Sequence, residues 1–234
     1  MTDLVPDKFL AEIVGRPAFR IALPPQGCDG AGIAAIRAAQ SRPVFLYAKL
    51  PTHAVKAIRQ LDELGFHVID TTVTFERSAG GPAGISDSTR PAKPGDRDAI
   101  MALARECFSH SRLHLDPAIS REAADHSRAE WAGNFFAGLR GNHMIVGESD
   151  GALAGFAQLL GPTDGILTID LIGVAAPFRR RGVAGALVAA AGAIAGAQTL
   201  RVGTQIANIP SLRLYESVGF RIVDTQYVLH YHRH

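Results

Sequence analysis

Three arginines and a glycine, Arg179-Arg180-Arg181-Gly182, stand where an apolar strand pattern gives way to a run of small residues. A turn at that point leaves the first N–H groups of the next helix, at Val183, Ala184 and Gly185, without helical partners. Such groups, aided by the helix dipole, bind anions. Glycine leaves room for a phosphate, and the arginines add charge. Just upstream, Ile172, Gly173 and Val174 end the strand, and a glycine inside a strand marks a bulge or a close backbone approach. In a regular strand Asp170 shares a face with Ile172 and Val174. It is a candidate proton acceptor, with a structural carboxylate as the alternative. The phenol of Tyr215 is neutral at pH 7 and can give up a proton. The plainer reading is a packing tyrosine between Leu212 and Leu214. His110, Arg112 and His114 lie in one polar stretch and can hold an anion, or simply form a polar loop. His230, His232 and His234 alternate on a terminal strand and face one side. No spaced carboxylate or cysteine joins them, so they read as solvated and no metal is expected. Cys107 reads as a buried helix residue, not a nucleophile.

The elements that carry these residues follow from the pattern. Ile166–Ala175 reads as a buried strand, and Val183, Leu187, Ala190 and Ile194 mark one face of a following helix. Thr199–Gln205 is the next strand and Pro210–Val218 the helix that carries Tyr215. Asn208 precedes that helix and suits its cap. Asp96–Phe108 and Ile119–Leu139 read as helices, and Met144–Glu148 and Ala152–Leu160 as a strand pair. The chain closes on two short strands, Arg221–Asp224 and Gln226–Tyr231. Before all this, Ala18–Leu23 and Val44–Leu50 read as strands, with Gly32–Gln40 and His53–Leu64 as helices. Phe66–Asp70 and Thr72–Glu76 read as two strands around a tight turn. Residues 78–95 are dominated by Gly, Pro, Ser and Ala and read as a linker between residues 1–77 and 96–234.

The 234 residues are 47% hydrophobic and 20% charged, with a net charge of +2. This composition is that of an ordinary globular protein. It makes a poor electrostatic footprint for nucleic acid. The uncharged run from Gly182 to Ala197 is too short to span a bilayer. Residues 1–14 carry Asp3, Asp7, Lys8 and Glu12, unlike a signal peptide. Two cysteines give no disulfide framework, and a reducing cytoplasm is the expected location.

The segment Arg179–Ala184 fits (Gln/Arg)-x-x-Gly-x-(Gly/Ala) and resembles the GNAT family of acetyl-CoA-dependent N-acetyltransferases. The order of elements from Pro91 to His234 resembles that family too. The resemblance implies an α/β fold with a mixed sheet and helices on both faces. It implies that the Arg179–Gly185 turn holds the coenzyme pyrophosphate and that the pantetheine arm lies beside Ile172–Val174. Tyr215 stands where such enzymes carry the acid that protonates the thiolate, and Asn208 where they touch the pantetheine arm or cap the catalytic helix. Asp170 is the candidate base, with a water chain as the alternative. The stretch with His110, Arg112 and His114 would form a wall of the acceptor site. Thr199–Asn208, Cys107–Arg112 and Gly65–Phe75 further resemble the bacterial dTDP-fucosamine acetyltransferase group, which acetylates a nucleotide-linked amino sugar. The expected partner is therefore a small-molecule amine, with no nucleic acid or membrane, and a homodimer is left open. Other small amines, or a non-catalytic acetyl-CoA sensor, are the alternatives.

An internal echo adds to this. Leu61–Phe75 (LDELGFHVIDTTVTF) resembles Leu214–Leu229 (LYESVGFRIVDTQYVL). The N-terminal part therefore reads as a half-copy, a β-α-β-β unit. Asp62 stands there where Tyr215 stands in the second copy, and the Arg/Gly turn is missing, so no second coenzyme site is expected.

Overall fold

The computed structural model describes residues 2–80 and 88–234. The N-terminal elements are β1 (Asp3–Pro6), α1 (Lys8–Val14), β2 (Ala18–Ala22), α2 (Gly30–Ala39), β3 (Val44–Pro51), α3 (Val55–Glu63) and β4 (His67–Ser78). Then come β5 (Thr89–Pro91), α4 (Arg97–Cys107), α5 (Arg112–Leu115), α6 (Arg121–Phe136), β6 (His143–Ser149) and β7 (Ala152–Thr163). The chain ends with β8 (Ile166–Val174), α7 (Val183–Gly192), β9 (Thr199–Gln205), α8 (Ile209–Ser217) and β10 (Arg221–Arg233). The described strands form one ten-stranded mixed sheet in the order β1-β2-β3-β10-β4-β9-β8-β7-β6-β5. β2/β3 and β8/β9 are its parallel pairs.

Each parallel pair is joined by a helix, so the echo extends further than the sequence suggested. β2-α2-β3-α3-β4 repeats β8-α7-β9-α8-β10. The two final strands of the repeats are exchanged. β4, from the first repeat, lies between β9 and β10, and β10 lies between β3 and β4. Each core thus takes residues from the other repeat. Val73 and Phe75 of β4 pack with Leu187, Leu200 and Tyr215, and Leu229 of β10 packs with Leu46, Leu61 and Phe66.

Two expectations are corrected here. The strand pairs foreseen at 66–76 and 221–231 are single long strands, β4 and β10. The Asp-Thr steps do not turn, because neighbours on both edges take the extended backbone into ladders. Small bulges at Ile222/Asp224 and Val228/Leu229 absorb the irregularity. The linker is also shorter than foreseen. β4 runs to Ser78, β5 pairs with β6, and Arg90 binds both Asp96 and Glu148. Residues 81–87 of the foreseen linker lie outside the described residues.

Caps set the helices that position the site. The Ser120 hydroxyl accepts the Ala123 amide at the start of α6, and Asn208 Oδ1 accepts the Ser211 amide at the start of α8, where Pro210 fits the first turn. No described helix is long and apolar enough to cross a membrane.

Candidate active site

One face of the sheet from β2 to β8 forms the floor of a cavity of about 650 Å³. Side chains at alternate positions of a strand share a face. Tyr47 and Lys49 of β3, Asp70 and Thr72 of β4, and Gly203 and Gln205 of β9 therefore look the same way, into the cavity. The opposite wall comes from α1, α5 and α6, with Phe9, Arg112, Arg128 and Trp131. Both repeats thus build the cavity. Arg20, Lys49, Arg112 and Arg128 line it, and none makes a salt bridge among the described residues. Arg128 lies over Phe108 and Trp131, and its Nε is buried without a partner. Burial lowers the Lys49 pKa to about 8, with Arg112 and Arg128 adding to the effect.

A second crevice, about 120 Å³, adjoins this cavity and shares Arg128, Asp170, Gly203 and Gln205 with it. It exists because β8 and β9 pair only from Ile166–Ile169 to Thr199–Val202. Beyond that they part, and the wedge between Asp170–Ile172 and Gly203–Gln205 ends at Asn208, Ser211 and Tyr215. A bulge starts the divergence. On β7 Gln158 faces Leu171 and Leu159 faces Ile169, so Asp170 is the extra residue.

At the far end of β8 the chain turns through Arg180, at φ 64°, and Gly182, at φ 84°, into α7. No side chain caps α7. The amides of Val183, Ala184 and Gly185 are therefore left to a ligand or water. A Cβ on Gly182 would touch no protein atom, but its φ is one that only glycine adopts without strain. Arg179 Nε donates to the Val174 carbonyl, and Arg181 pairs with Asp150 on the surface. The turn and the wedge fit a coenzyme with a pyrophosphate and a slender thiol arm.

The corresponding turn of the first repeat is closed by its own chain. Gln60 accepts the Cys28 amide, and Asp29 accepts the Gly32 amide at the start of α2. A carboxylate already occupies the place an anion would take.

The structure places the expected residues as follows. Tyr215 is 2% exposed, packed against Phe75 and Phe220, and lines the wedge. Burial raises its pKa, so the phenol keeps its proton. Ile172 and Asn208 line the same wedge. Gly173 is not at the bulge. It permits the close approach of Cys107, whose Sγ would lie 2.5 Å from an added Cβ. Burial pushes the Cys107 thiol up to about 12, which suits an inert helix residue.

Asp170 is corrected on two counts. The bulge turns it towards α6, whereas Ile172 and Val174 pack on the α7 side. Its oxygens also already accept Arg140 Nε and NH2 at 2.7 and 2.6 Å and the Trp131 indole at 2.8 Å. With both oxygens engaged, it serves to fix Arg140 and Trp131 and is poorly placed to take a proton. His114 is corrected as well. Its side chain is 1% exposed, tied to Ser111 and Asp125, and absent from the cavity wall. His110 meets only Ser109 among the described contacts. Of the three expected acceptor residues, Arg112 alone lines the cavity.

Sequence reading missed the first repeat's contribution, Lys49, Asp70, Tyr47 and Arg20. The signal was present in VFLYAKL, where Tyr47 and Lys49 put polar groups at alternate positions of an otherwise apolar strand. His230 and His232 were read as solvated, but they meet Asp116 from the loop after α5.

The model of the acetyltransferase (GNAT) family matches residues 97–220. The chain belongs to this family. Enzymes of this family use acetyl-CoA as donor, and the turn and wedge fit that donor. Over 143 residues the chain is 36% identical to the spore coat polysaccharide biosynthesis protein SpsD of Bacillus subtilis. That match covers 60% of this chain and about half, 49%, of SpsD. Among solved structures, a functionally unknown conserved protein from Staphylococcus epidermidis superposes with a TM-score of 0.68 at 13% identity, covering 98% of this chain and 90% of that one. A GCN5-related N-acetyltransferase from Sphaerobacter thermophilus gives 0.63 at 14% identity, covering 99% and 76%. These two likenesses concern the GNAT fold alone.

Proposed function

We propose that this enzyme transfers the acetyl group of acetyl-CoA to the primary amine of a sugar carried on a nucleoside diphosphate, by direct attack in a ternary complex. The observation that carries the reading is the cavity beside the wedge. Arg20, Lys49, Arg112 and Arg128 make no salt bridge among the described residues and face a space large enough for a nucleotide sugar. The likeness to SpsD, named for polysaccharide biosynthesis, supports an acceptor of sugar chemistry. So does the resemblance to the dTDP-fucosamine group. Polyamines and aminoglycosides, being polycations, suit such a cavity poorly. A pure sensor needs no proton donor at the wedge, where Tyr215 sits.

The chemistry needs a neutral amine, a stabilised oxyanion and a proton for the leaving thiolate. The Arg179–Gly185 turn holds the coenzyme pyrophosphate, Ile172–Val174 line its arm, and Asn208 fixes the helix that carries Tyr215. Tyr215 gives its proton to the sulfur. Asp70 takes the proton of the amine. It is 5% exposed, lines the cavity, and among the described residues neither carboxylate oxygen has a hydrogen-bond partner of normal geometry. Burial raises its pKa above the ordinary carboxylate range, although the Thr71 amide, Lys49 and Gln205 draw it part of the way back. A carboxylate so placed is a competent base near neutral pH.

Release of free coenzyme A, measured against a panel of amines that includes dTDP-amino sugars, tests the acceptor class. Acetylation of polyamines or aminoglycosides in preference to nucleotide sugars overturns it. Asp70→Asn should lower kcat by roughly 10²–10⁴, the usual range for a placed base, and leave acetyl-CoA affinity unchanged. Turnover within a few-fold of wild type removes Asp70 from the reaction.

A further inference from the structure

Resting on the acceptor reading above, we propose that His230, with Asp116 behind it, is a positioning residue that aims Arg112 at a diphosphate or similar anion in the acceptor cavity. The proposal stands on a chain of hydrogen bonds whose proton positions the geometry dictates. Asp116 accepts the Ala118 amide on Oδ1, while Oδ2 lies 2.5 Å from His230 Nδ1 and 2.7 Å from His232 Nε2. A carboxylate only accepts, so both of those ring nitrogens carry hydrogen. The other nitrogen of each ring faces a guanidinium. His230 Nε2 lies 3.2 Å from Arg112 NH1, and His232 Nδ1 lies 2.6 Å from Arg16 NH2. An arginine only donates, so those nitrogens are bare. Both imidazoles are therefore neutral.

That neutrality decides what the arrangement can do. A carboxylate beside Arg112 would orient it and also cancel its charge. A neutral imidazole orients it and leaves the charge for a ligand. Arg112 is also fixed from the other side, 4.0 Å over the Tyr47 ring, whose hydroxyl donates to Asp7. His230 is itself locked edge-on against Phe45. The guanidinium is thus held in place within the cavity without an ion pair. The ligand atoms of Asp116, His230 and His232 lie within 4.8 Å of one another, and the two flanking guanidiniums disfavour a cation there.

The test uses titration calorimetry of inorganic pyrophosphate on the full chain saturated with coenzyme A, which keeps the probe off the Arg179–Gly185 turn. Wild type should bind one pyrophosphate. Arg112→Gln should weaken it about tenfold or more, the value of a charge-assisted bond or two. His230→Asn keeps a donor near the Nδ1 position for Asp116 and deletes the Nε2 acceptor. It should weaken pyrophosphate and raise acceptor KM by a similar factor, with kcat nearly unchanged. His230→Gln, which restores an acceptor near Nε2, should recover most of the affinity. Unchanged pyrophosphate affinity in Arg112→Gln, or no binding by wild type, overturns the proposal, as does a His230→Asn effect confined to stability. If wild type binds pyrophosphate through Arg112 yet acetylates no nucleotide-linked sugar, the acceptor reading fails and this inference stands.

Discussion

A buried phenol without a protein partner is suited to handing its proton to a thiolate. Tyr215 is buried at the end of the wedge, and its hydroxyl has no hydrogen-bond partner among the described residues. Tyr215→Phe keeps the ring between Phe75 and Phe220 and removes only the hydroxyl. Turnover should fall by roughly 10²–10⁴, with acetyl-CoA affinity barely changed, because a ground-state thioester sulfur accepts hydrogen bonds weakly. Wild-type turnover in the Phe variant, with chemistry shown to limit the rate, would make Tyr215 a packing residue. Asp170 should behave in the opposite way. Asp170→Asn takes the ionic partner from Arg140, which is itself 37% exposed, and weakens the tie to Trp131, so stability should drop by about 1 kcal/mol. The acid limb of the pH–rate profile should stay in place, because the carboxylate does not carry the proton. A shifted limb in the Asn variant, with stability unchanged, would restore Asp170 as the base. The helix that carries Tyr215 was legible because a short local pattern, strand-turn-helix, fixes it. Asp170 was misread because one bulged residue reverses the alternation on which the reading depended.

The two strand-helix-strand units have the same path but different turns. In the second, Gly182 at φ 84° opens α7 with its first amides uncapped. In the first, Asp29 caps α2 and Gln60 fills the turn. Calorimetry should therefore find one acetyl-CoA per chain, and a stoichiometry of two would show that the first turn opens. The sequence already separated the units, since the Arg/Gly turn is a local motif and its absence is visible. That Gln60 plugs the vacant turn was not visible, because Gln60 and Cys28 meet only when α3 packs beside the turn after β2.

Exchange of β4 and β10 makes one molecule of two repeats and carries the Asp116–His230–His232 cluster across it. Protonation of that cluster should couple to the whole fold. Burial lowers the His230 pKa to about 4, against 6.5 for a free histidine, while the bond to Asp116 pulls the other way. Between those values the unfolded chain binds more protons than the folded one, so stability rises with pH across the window and is lost as pH falls from about 6.5 to 4. The size is on the order of 3 kcal/mol. Asp116 acts in the same direction at lower pH. Burial pushes its pKa up, but the N–H bonds from His230, His232 and Ala118 more than offset this and hold it below the ordinary carboxylate range. Urea midpoints measured from pH 7 to pH 4 should fall in wild type and fall less steeply in His230→Asn. Equal slopes would mean that His230 titrates alike in the folded and unfolded chain.

The sequence by itself determined what short-range physics controls. The 3.6-residue and two-residue periods set most of the elements, and the Arg179–Gly185 turn marked a helix start whose first amides have no side-chain cap. Tyr215 fell on the helix after β9, and the echo at Leu61–Phe75 and Leu214–Leu229 announced the repeat. Only the tertiary structure decided what depends on distant segments meeting. Asp-Thr steps stayed extended because ladders on both edges held them. Asp170 found Arg140 and Trp131 from α6 and the loop behind it. Lys49 and Asp70 reached the cavity of about 650 Å³ because β10 enters the first repeat's sheet and β4 the second's. His230 met Asp116 across 114 residues of chain, a contact that no spacing within the terminal strand could reveal.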